Sequence, residues 1–239
     1  MNFQLSFKPL GACAILIEWP SAIKEAINHD IIAFDKKLSQ YERKVDTVVA
    51  YNSLLVRFRE PVLHFTQTVQ ELRELYSIKE PVQHLPSLLW KVPVCYDLSF
   101  GLDLEEIATR KKRSIEEIIS LHAAPDYLVY FIGFLPGFLY LGGLNKELHI
   151  PRRSNPRLRV SRGSVAIGGA QTGVYPQDSA GGWNLIGKTP IDFFIPSNEQ
   201  PCFAKPGDRI RFLPISKATY NRLAREVARR PYIPKSCPI

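Results

Sequence analysis

Apolar residues mark out the first eighty positions in two rhythms. Ala12 to Ile17 is a continuous apolar run, which reads as a buried strand. Behind it, Ile23, Ile27, Ile31, Phe34 and Leu38 return at spacings of four and three. That spacing lays one stripe along a helix, with Ser21 placed as its N-cap. Val45 to Tyr51 and Leu54 to Phe58 read as strands joined by the turn pair Asn52-Ser53. Phe65, Val69 and Leu72 mark a second helix ending near Ser77. The order β-β-α-β-β-α makes residues 1–84 a small N-terminal α+β domain.

The stretch Lys79 to Pro93 carries three prolines and little helical period, so the domain boundary is expected there. Two short helices follow. Asp103 with Glu106, and Ser114 with Glu117, both have the capping-box spacing, in which a side-chain oxygen satisfies free N–H groups at a helix start. Ile115, Ile118, Ile119 and His122 continue the second helix, and Pro125 stops it. From Asp126 the pattern changes to short β-rich runs: Tyr127 to Ile132, Leu158 to Ile167, Ile191 to Ile195 and Asp208 to Leu213. Alternating with Gly and Pro, they predict a closed or nearly closed barrel over residues 85–239. The fold class is therefore mainly β, with an α+β domain in front. Ser216 caps a last helix, with Leu223 and Val227 inward and Arg222, Arg225 and Arg229 on a solvated face.

Composition narrows the class without changing it. The 239 residues are 45% hydrophobic and 23% charged, ordinary values for a globular protein that buries its own core. No apolar run approaches the roughly 20 residues that span a bilayer. Leu10 to Trp19 lacks a basic leader and is broken by Glu18 and Pro20, so it reads as a strand and not a signal peptide. A cytoplasmic location with no membrane partner is expected. The four cysteines (Cys13, Cys95, Cys202, Cys237) and five histidines are scattered, without the spacing of a disulfide framework or a metal site. The net charge of +8 comes from 31 basic and 23 acidic residues. No nucleic-acid motif accompanies it, so an anionic ligand is favoured over nucleic acid.

Eleven of the fourteen glycines fall between Gly133 and Gly187. Glycine serves where φ is positive or where a backbone comes close to another group. A single glycine of this kind reads as a tight barrel corner. The cluster as a whole reads as a binding cleft, because Gln171, Thr172, Tyr175, Asn184 and Lys188 are interleaved with it. Gly182 to Thr189 also matches the phosphate-loop expression G-x-x-x-x-G-K-[ST]. That loop requires a helix to start at the Lys, whose N–H groups then cradle phosphate. Here Pro190 and the strand-like Ile191 to Ile195 follow, so the match is a decoy.

The same region carries a family likeness. In order come His122-Ala-Ala-Pro125-Asp-Tyr127, Gly133-Phe-Leu-Pro-Gly-Phe-Leu-Tyr-Leu141, Pro151-Arg152-Arg153, Asn155-Pro156-Arg157 and Gly163-Ser-Val-Ala-Ile167. Gln171-Thr-Gly-Val-Tyr-Pro176, Gly181-Gly-Trp183 and Leu185-Ile-Gly-Lys-Thr-Pro190 complete the series. Together they closely resemble the family containing the B-type subunit of 5-oxoprolinase, allophanate hydrolase subunit 1 and a sporulation-kinase inhibitor. The module is also similar to half of the carboxyltransferase domain of urea carboxylase. Val92-Pro-Val-Cys-Tyr96, Leu102-Asp-Leu-Glu-Glu-Ile107 and Tyr51-Asn-Ser-Leu-Leu-Val56 extend the likeness upstream. Three positions depart from it: Asp97-Leu98 replaces a common Gly-Gly, and Ser161 and Ala180 replace prolines, all at expected turns.

The resemblance implies a cyclophilin-like β-barrel behind the α+β domain, and a complex with a second cyclophilin-like carboxyltransferase subunit and a lactam-utilisation subunit. It implies ATP-dependent opening of 5-oxo-L-proline to L-glutamate, with ATP and Mg bound alongside the partner subunits and no intrinsic metal or biotin. Such chemistry needs cations for carboxylate and phosphate, and donors aimed at developing charge. On this reading Arg152 and Arg157 supply anion contacts, Gln171, Thr172 and Tyr175 donate hydrogen bonds, Trp183 walls the cleft and Lys188 adds a cation. A surface or salt-bridge role for Arg152, Arg157 and Lys188 stands beside it. His122 reads as a structural helix-end histidine, and no catalytic pair can be named. Two alternatives share the family: a carboxyltransferase component of a urea carboxylase and allophanate hydrolase system, and an inhibitor that binds a sensor histidine kinase.

Overall fold

The computed structural model describes residues 3–42, 44–78, 87–230 and 232–239. The chain divides into two compact units, Met1–Leu85 and Pro86–Ile239. Among the described residues no helix is long and apolar enough to cross a membrane.

The first unit has the predicted element order. Strands β1 (Ser6–Pro9) and β2 (Ala14–Glu18) precede helix α1 (Glu25–Leu38), and β3 (Lys44–Val49) and β4 (Ser53–Phe58) precede α2 (Phe65–Ser77). The strands form one antiparallel sheet in the order β1-β2-β4-β3. Side chains alternate between its faces, so Ile15 and Ile17 of β2 and Leu54, Val56 and Phe58 of β4 are buried together. Against them α1 sets Ile27, Ile31, Phe34 and Leu38, the apolar stripe read from the sequence. Its first expected member is a correction. Ile23 is exposed, because the helix starts at Glu25 with Lys24 as an N-cap that makes no side-chain cap bond; Ser21 caps nothing.

The two units divide between Leu85 and Pro86, inside the expected boundary stretch, whose C-terminal half is structured. Residues 79–86 lie outside the described residues, but Leu88–Val94 is strand β5, the hub of the second unit. It runs parallel to β13 (Arg209–Pro214) and antiparallel to β14 (Lys235–Pro238). Pro93 is tolerated because it lies beyond the last β14 pair, Lys235 with Lys91, where a ladder bond to that side is no longer needed. Helices α3 (Leu104–Lys111) and α4 (Ile115–Ala123) follow β5. Ser114 and Glu117 form the full capping box on α4, with bonds of 3.1 and 2.7 Å.

The rest of the sheet is built from β6 (Tyr127–Ile132), β7 (Leu139–Gly142), β9 (Ser164–Gly168), β10 (Gln171–Val174) and β12 (Asn184–Lys188). The order β12-β9-β10-β7-β6-β13-β5-β14 would leave β12 at an edge. Instead Cys95, just past β5, bridges Lys188 through paired backbone bonds of 2.8 and 2.9 Å, which brings β12 back against β5. The sheet thus wraps around one apolar core that includes Val92, Val129, Leu141, Val165, Ile186 and Phe212. A separate ribbon pairs β8 (Arg157–Val160) with β11 (Ser179–Gly181). The expected single strand Leu158 to Ile167 is therefore two, broken at the turn before Ser164. Ile191 to Ile195 is no strand. Its backbone finds Pro201 and no sheet partner, while Ile191 and Phe193 are buried. Ala180 lies within β11 and not at a turn. Helix α5 (Lys217–Val227) is capped by Ser216, and no residue in it is fully buried.

Candidate functional site

The start of α3 organises the site. Asp103 stands at the N-cap, yet its carboxylate makes no capping bond. One oxygen accepts Nη1 of Arg153 at 2.8 Å and Nη2 of Arg157 at 2.7 Å; the other accepts the Leu185 N–H at 2.6 Å. The Asp103 N–H in turn donates to the Leu185 carbonyl at 2.9 Å. The spacing to Glu106 therefore serves a different purpose from the expected box: Glu106 receives Arg153 at 3.3 Å and Arg110 at 2.7 Å. Asp103 is buried, and two guanidiniums at 31% and 24% side-chain exposure balance its charge. The segment carrying these arginines is tied down twice more. Arg153 N–H donates to Gly182 O at 2.7 Å, and Asn184 Nδ2 donates to Pro151 O at 3.0 Å. Asp103 and Arg153 were missed as site residues, because a contact fifty positions apart leaves no local pattern.

Above this clamp lies an aromatic cluster. Trp183 lies against Gly168, where a Cβ would stand 2.6 Å from the indole, so only glycine admits the ring. Phe138 meets Trp183 and Tyr175 edge-on, with centroids 5.6 and 5.8 Å away. The Tyr175 hydroxyl occupies the place a Cβ on Gly181 would need, 2.3 Å away. Burial pushes the Tyr175 pKa up, while the backbone N–H of Trp183 and the charges of Arg152 and Arg157 pull it back. These glycines are thus explained by ring packing. Trp183 and Tyr175 are both buried, so they form the floor beneath the surface and not an open wall. Arg152 is exposed with its guanidinium 5.8 Å from the Trp183 ring centroid, and Phe134 is exposed 5.7 Å from Phe138. Together they present a cation beside aromatic rings, able to hold a carboxylate or another anion.

The remaining candidates separate from this face. Thr172 is fully buried; its hydroxyl donates to Ala166 O at 3.0 Å and meets His122 Nε2 at 2.8 Å. It is committed to the interior, not to a ligand. Because that hydroxyl spends its proton on Ala166, Nε2 of His122 carries the hydrogen, and Nδ1 accepts from Tyr96 O–H at 2.8 Å. Phe212 stacks on the imidazole at 4.8 Å, and burial lowers the His122 pKa to about 3. This histidine is a neutral structural link between α4 and β10. Gln171 opens β10 opposite Gly168. Arg157 reaches toward the aromatic floor, but Asp103 holds one of its nitrogens and its Nη1 is buried without a partner.

Lys188 ends β12, five residues from Trp183 and so roughly 16 Å along the strand. Gly182 to Thr189 is strand and turn with no helix behind it, so this segment makes no phosphate loop. The ammonium donates to Ser161 Oγ at 3.1 Å. Among the described residues no group of three or more His, Cys, Asp or Glu side chains is gathered as for a metal ion.

This architecture is that of a carboxyltransferase module. The structure of Kluyveromyces lactis urea carboxylase superposes with a TM-score of 0.82 over all of this chain and 24% of that one, at 17% identity, a likeness of fold alone. The chain belongs to the family of carboxyltransferase domains, subdomains C and D, which it matches over residues 5–204. A Bacillus subtilis (strain 168) protein, named as the B-type subunit of 5-oxoprolinase, is 35% identical over 95% of this chain and 99% of its own length. The crystal structure of TTHA0988 is 34% identical with a TM-score of 0.73, over 85% of this chain; the match spans only 40% of that longer protein.

Proposed function

We propose that this chain is the B-type subunit of an ATP-dependent 5-oxoprolinase, working with a second cyclophilin-like subunit and a lactam-utilisation subunit. The observation that carries the proposal is the end-to-end likeness to a protein of that name, 35% identical over 95% of this chain. In the reaction, ATP phosphorylates the amide oxygen of 5-oxo-L-proline, water adds to the activated carbon, and collapse with loss of phosphate and cleavage of the C–N bond gives L-glutamate. ATP and its Mg ion bind in the assembled complex. This chain contributes the anion-holding face of Arg152 over Trp183 and Tyr175, with Arg153 and Arg157 set behind it by Asp103. That face offers charge and ring surface but no nucleophile–base pair, and His122 is sealed within the core, which suits a subunit that requires partners.

The test is reconstitution with the two partner subunits, measuring glutamate from 5-oxoproline with and without ATP. Glutamate release should require ATP and this chain together. Arg152→Ala should lower kcat/KM by about tenfold, as loss of one charge-assisted bond does. Release that is undiminished when this chain is omitted overturns the proposal.

A further inference from the structure

A second site lies apart from the Trp183 face, where α5 stands over the turn that follows β12. Between them is a cavity of about 470 Å³ lined by Arg162, Asp178, Lys188, Asp192 and Tyr220, with Ala224 and Val227 of α5 as an apolar side. The volume is within the range of small-molecule sites.

The lining itself holds two cations and two carboxylates, but Arg159 from outside the cavity pairs with Asp178 and leaves one cation over. Asp178 is held by Arg159 at 2.7 Å and by the Arg162 N–H at 2.8 Å. Asp192 is paired with the Arg162 guanidinium. Nearby Lys217 is paired with Asp97 at 3.1 Å. Lys188 is left as the cation with no carboxylate within ion-pair distance among the described residues; its hydrogen bond is to the Ser161 hydroxyl, and it lies 5.9 Å from the Phe100 ring. It is also half-buried, and that desolvation, with Arg162 adding to it, lowers its pKa while Asp178 opposes the change. A desolvated ammonium with spare N–H donors attracts an oxyanion. Tyr220, its ring 4.6 Å from that of Phe100, places a phenol at the same cavity. One surplus positive charge suits one negative charge, and the carboxylates of Asp178 and Asp192 oppose a dianion. The apolar side from α5 suits a hydrocarbon body.

We infer that this cavity binds a small monocarboxylate, its carboxylate on Lys188 and Tyr220 and its apolar body against α5. The inference concerns this chain alone and stands whether or not the oxoprolinase reading holds.

Calorimetric titration of the full chain with hexanoate, hexanamide, 5-oxo-L-proline and inorganic phosphate tests it. Saturable binding of hexanoate is expected, with hexanamide and phosphate at least tenfold weaker. Lys188→Met should weaken carboxylate binding about tenfold or more, and Tyr220→Phe about threefold, the scale of lost charged and neutral hydrogen bonds. Ala224→Trp, which fills the cavity from the helix and leaves Lys188 in place, should abolish binding and covers the case in which the Lys188 variant does not fold. Absence of saturable hexanoate binding, tighter binding of phosphate, or full affinity in the Ala224→Trp chain overturns the inference.

Discussion

Replacing Asp103 by alanine removes three acceptor contacts at once: Arg153 at 2.8 Å, Arg157 at 2.7 Å and the Leu185 N–H at 2.6 Å. Deleting one side of a fully buried ion pair costs about 3–5 kcal/mol. Here the arginine side chains keep 31% and 24% of their exposure, so water recovers part of their charge and the ionic part falls toward about 1–2 kcal/mol. The Leu185 N–H gets no such relief, and an orphaned buried donor adds about 1–2 kcal/mol. The expected loss is about 3 kcal/mol, or roughly 6–12 °C in Tm at this size. Urea titrations followed by far-UV circular dichroism and tryptophan fluorescence, fitted with separate transitions for the two units, measure it. Asp103→Asn, which keeps one acceptor, should lose less. Adding Arg153→Ala and Arg157→Ala to Asp103→Ala should cost less than the sum of the single changes, since removing the stranded cations relieves them. A loss below about 0.5 kcal/mol for Asp103→Ala, or strict additivity, would refute the view that this carboxylate clamps the site.

Three further outcomes follow from the same contacts. His122 stays neutral down to about pH 3 when folded but takes up a proton near 6.5 when unfolded, so the unfolded chain binds the extra proton between those values. Stability from this group is fully present above pH 6.5 and falls by about 1.4 kcal/mol per pH unit below it; His122→Gln should flatten the stability–pH slope between pH 6 and 5 by that amount, and an unchanged slope contradicts the assignment. Gly168→Ala puts a methyl 2.6 Å from the Trp183 indole and should cost about 2 kcal/mol with a shift in tryptophan emission. Ser114→Ala opens the α4 capping box and should cost about 1 kcal/mol, measurable as a drop in urea midpoint at constant m.

Local periodicity carried the first unit well, since each apolar stripe needs only its own helix or strand to be recognised. Ile27, Ile31, Phe34 and Leu38 face the core as their spacing requires. It failed where one pattern has two physical outcomes. Asp103-x-x-Glu106 and Ser114-x-x-Glu117 are the same signal, but Ser114 is exposed and free to cap, whereas Asp103 is buried, with one oxygen held by two arginines and the other by the Leu185 N–H, leaving none for the helix's own N–H groups. Leu88–Val94 was hidden by its proline, and Ile191 to Ile195 was strand-like in composition yet has no strand beside it. At two of its positions the glycine cluster has a packing explanation that the sequence did not offer. Gly168 and Gly181 make room for Trp183 and Tyr175, and a sequence does not reveal whether the group approaching a glycine is a ligand or the protein's own ring.

The two candidate sites differ in how firmly they are held, and that difference bears on what each can do. The arginine face rests on Asp103, on the Pro151 and Gly182 carbonyl bonds and on rings packed against glycines, so moving Arg153 or Trp183 breaks several contacts together. Helix α5 has no fully buried residue; it is held by its Ser216 cap, the Tyr220 ring on Phe100 and one ion pair at its start, Lys217 with Asp97. An element with few buried apolar contacts opens at low cost. The backbone and rings beneath Arg152 are accordingly a preformed surface. The Lys188 cavity has one rigid wall, β12, and one compliant wall, α5, so its ligand is expected to protect the amides of α5 from hydrogen exchange while leaving those of Trp183 to Leu185 unchanged.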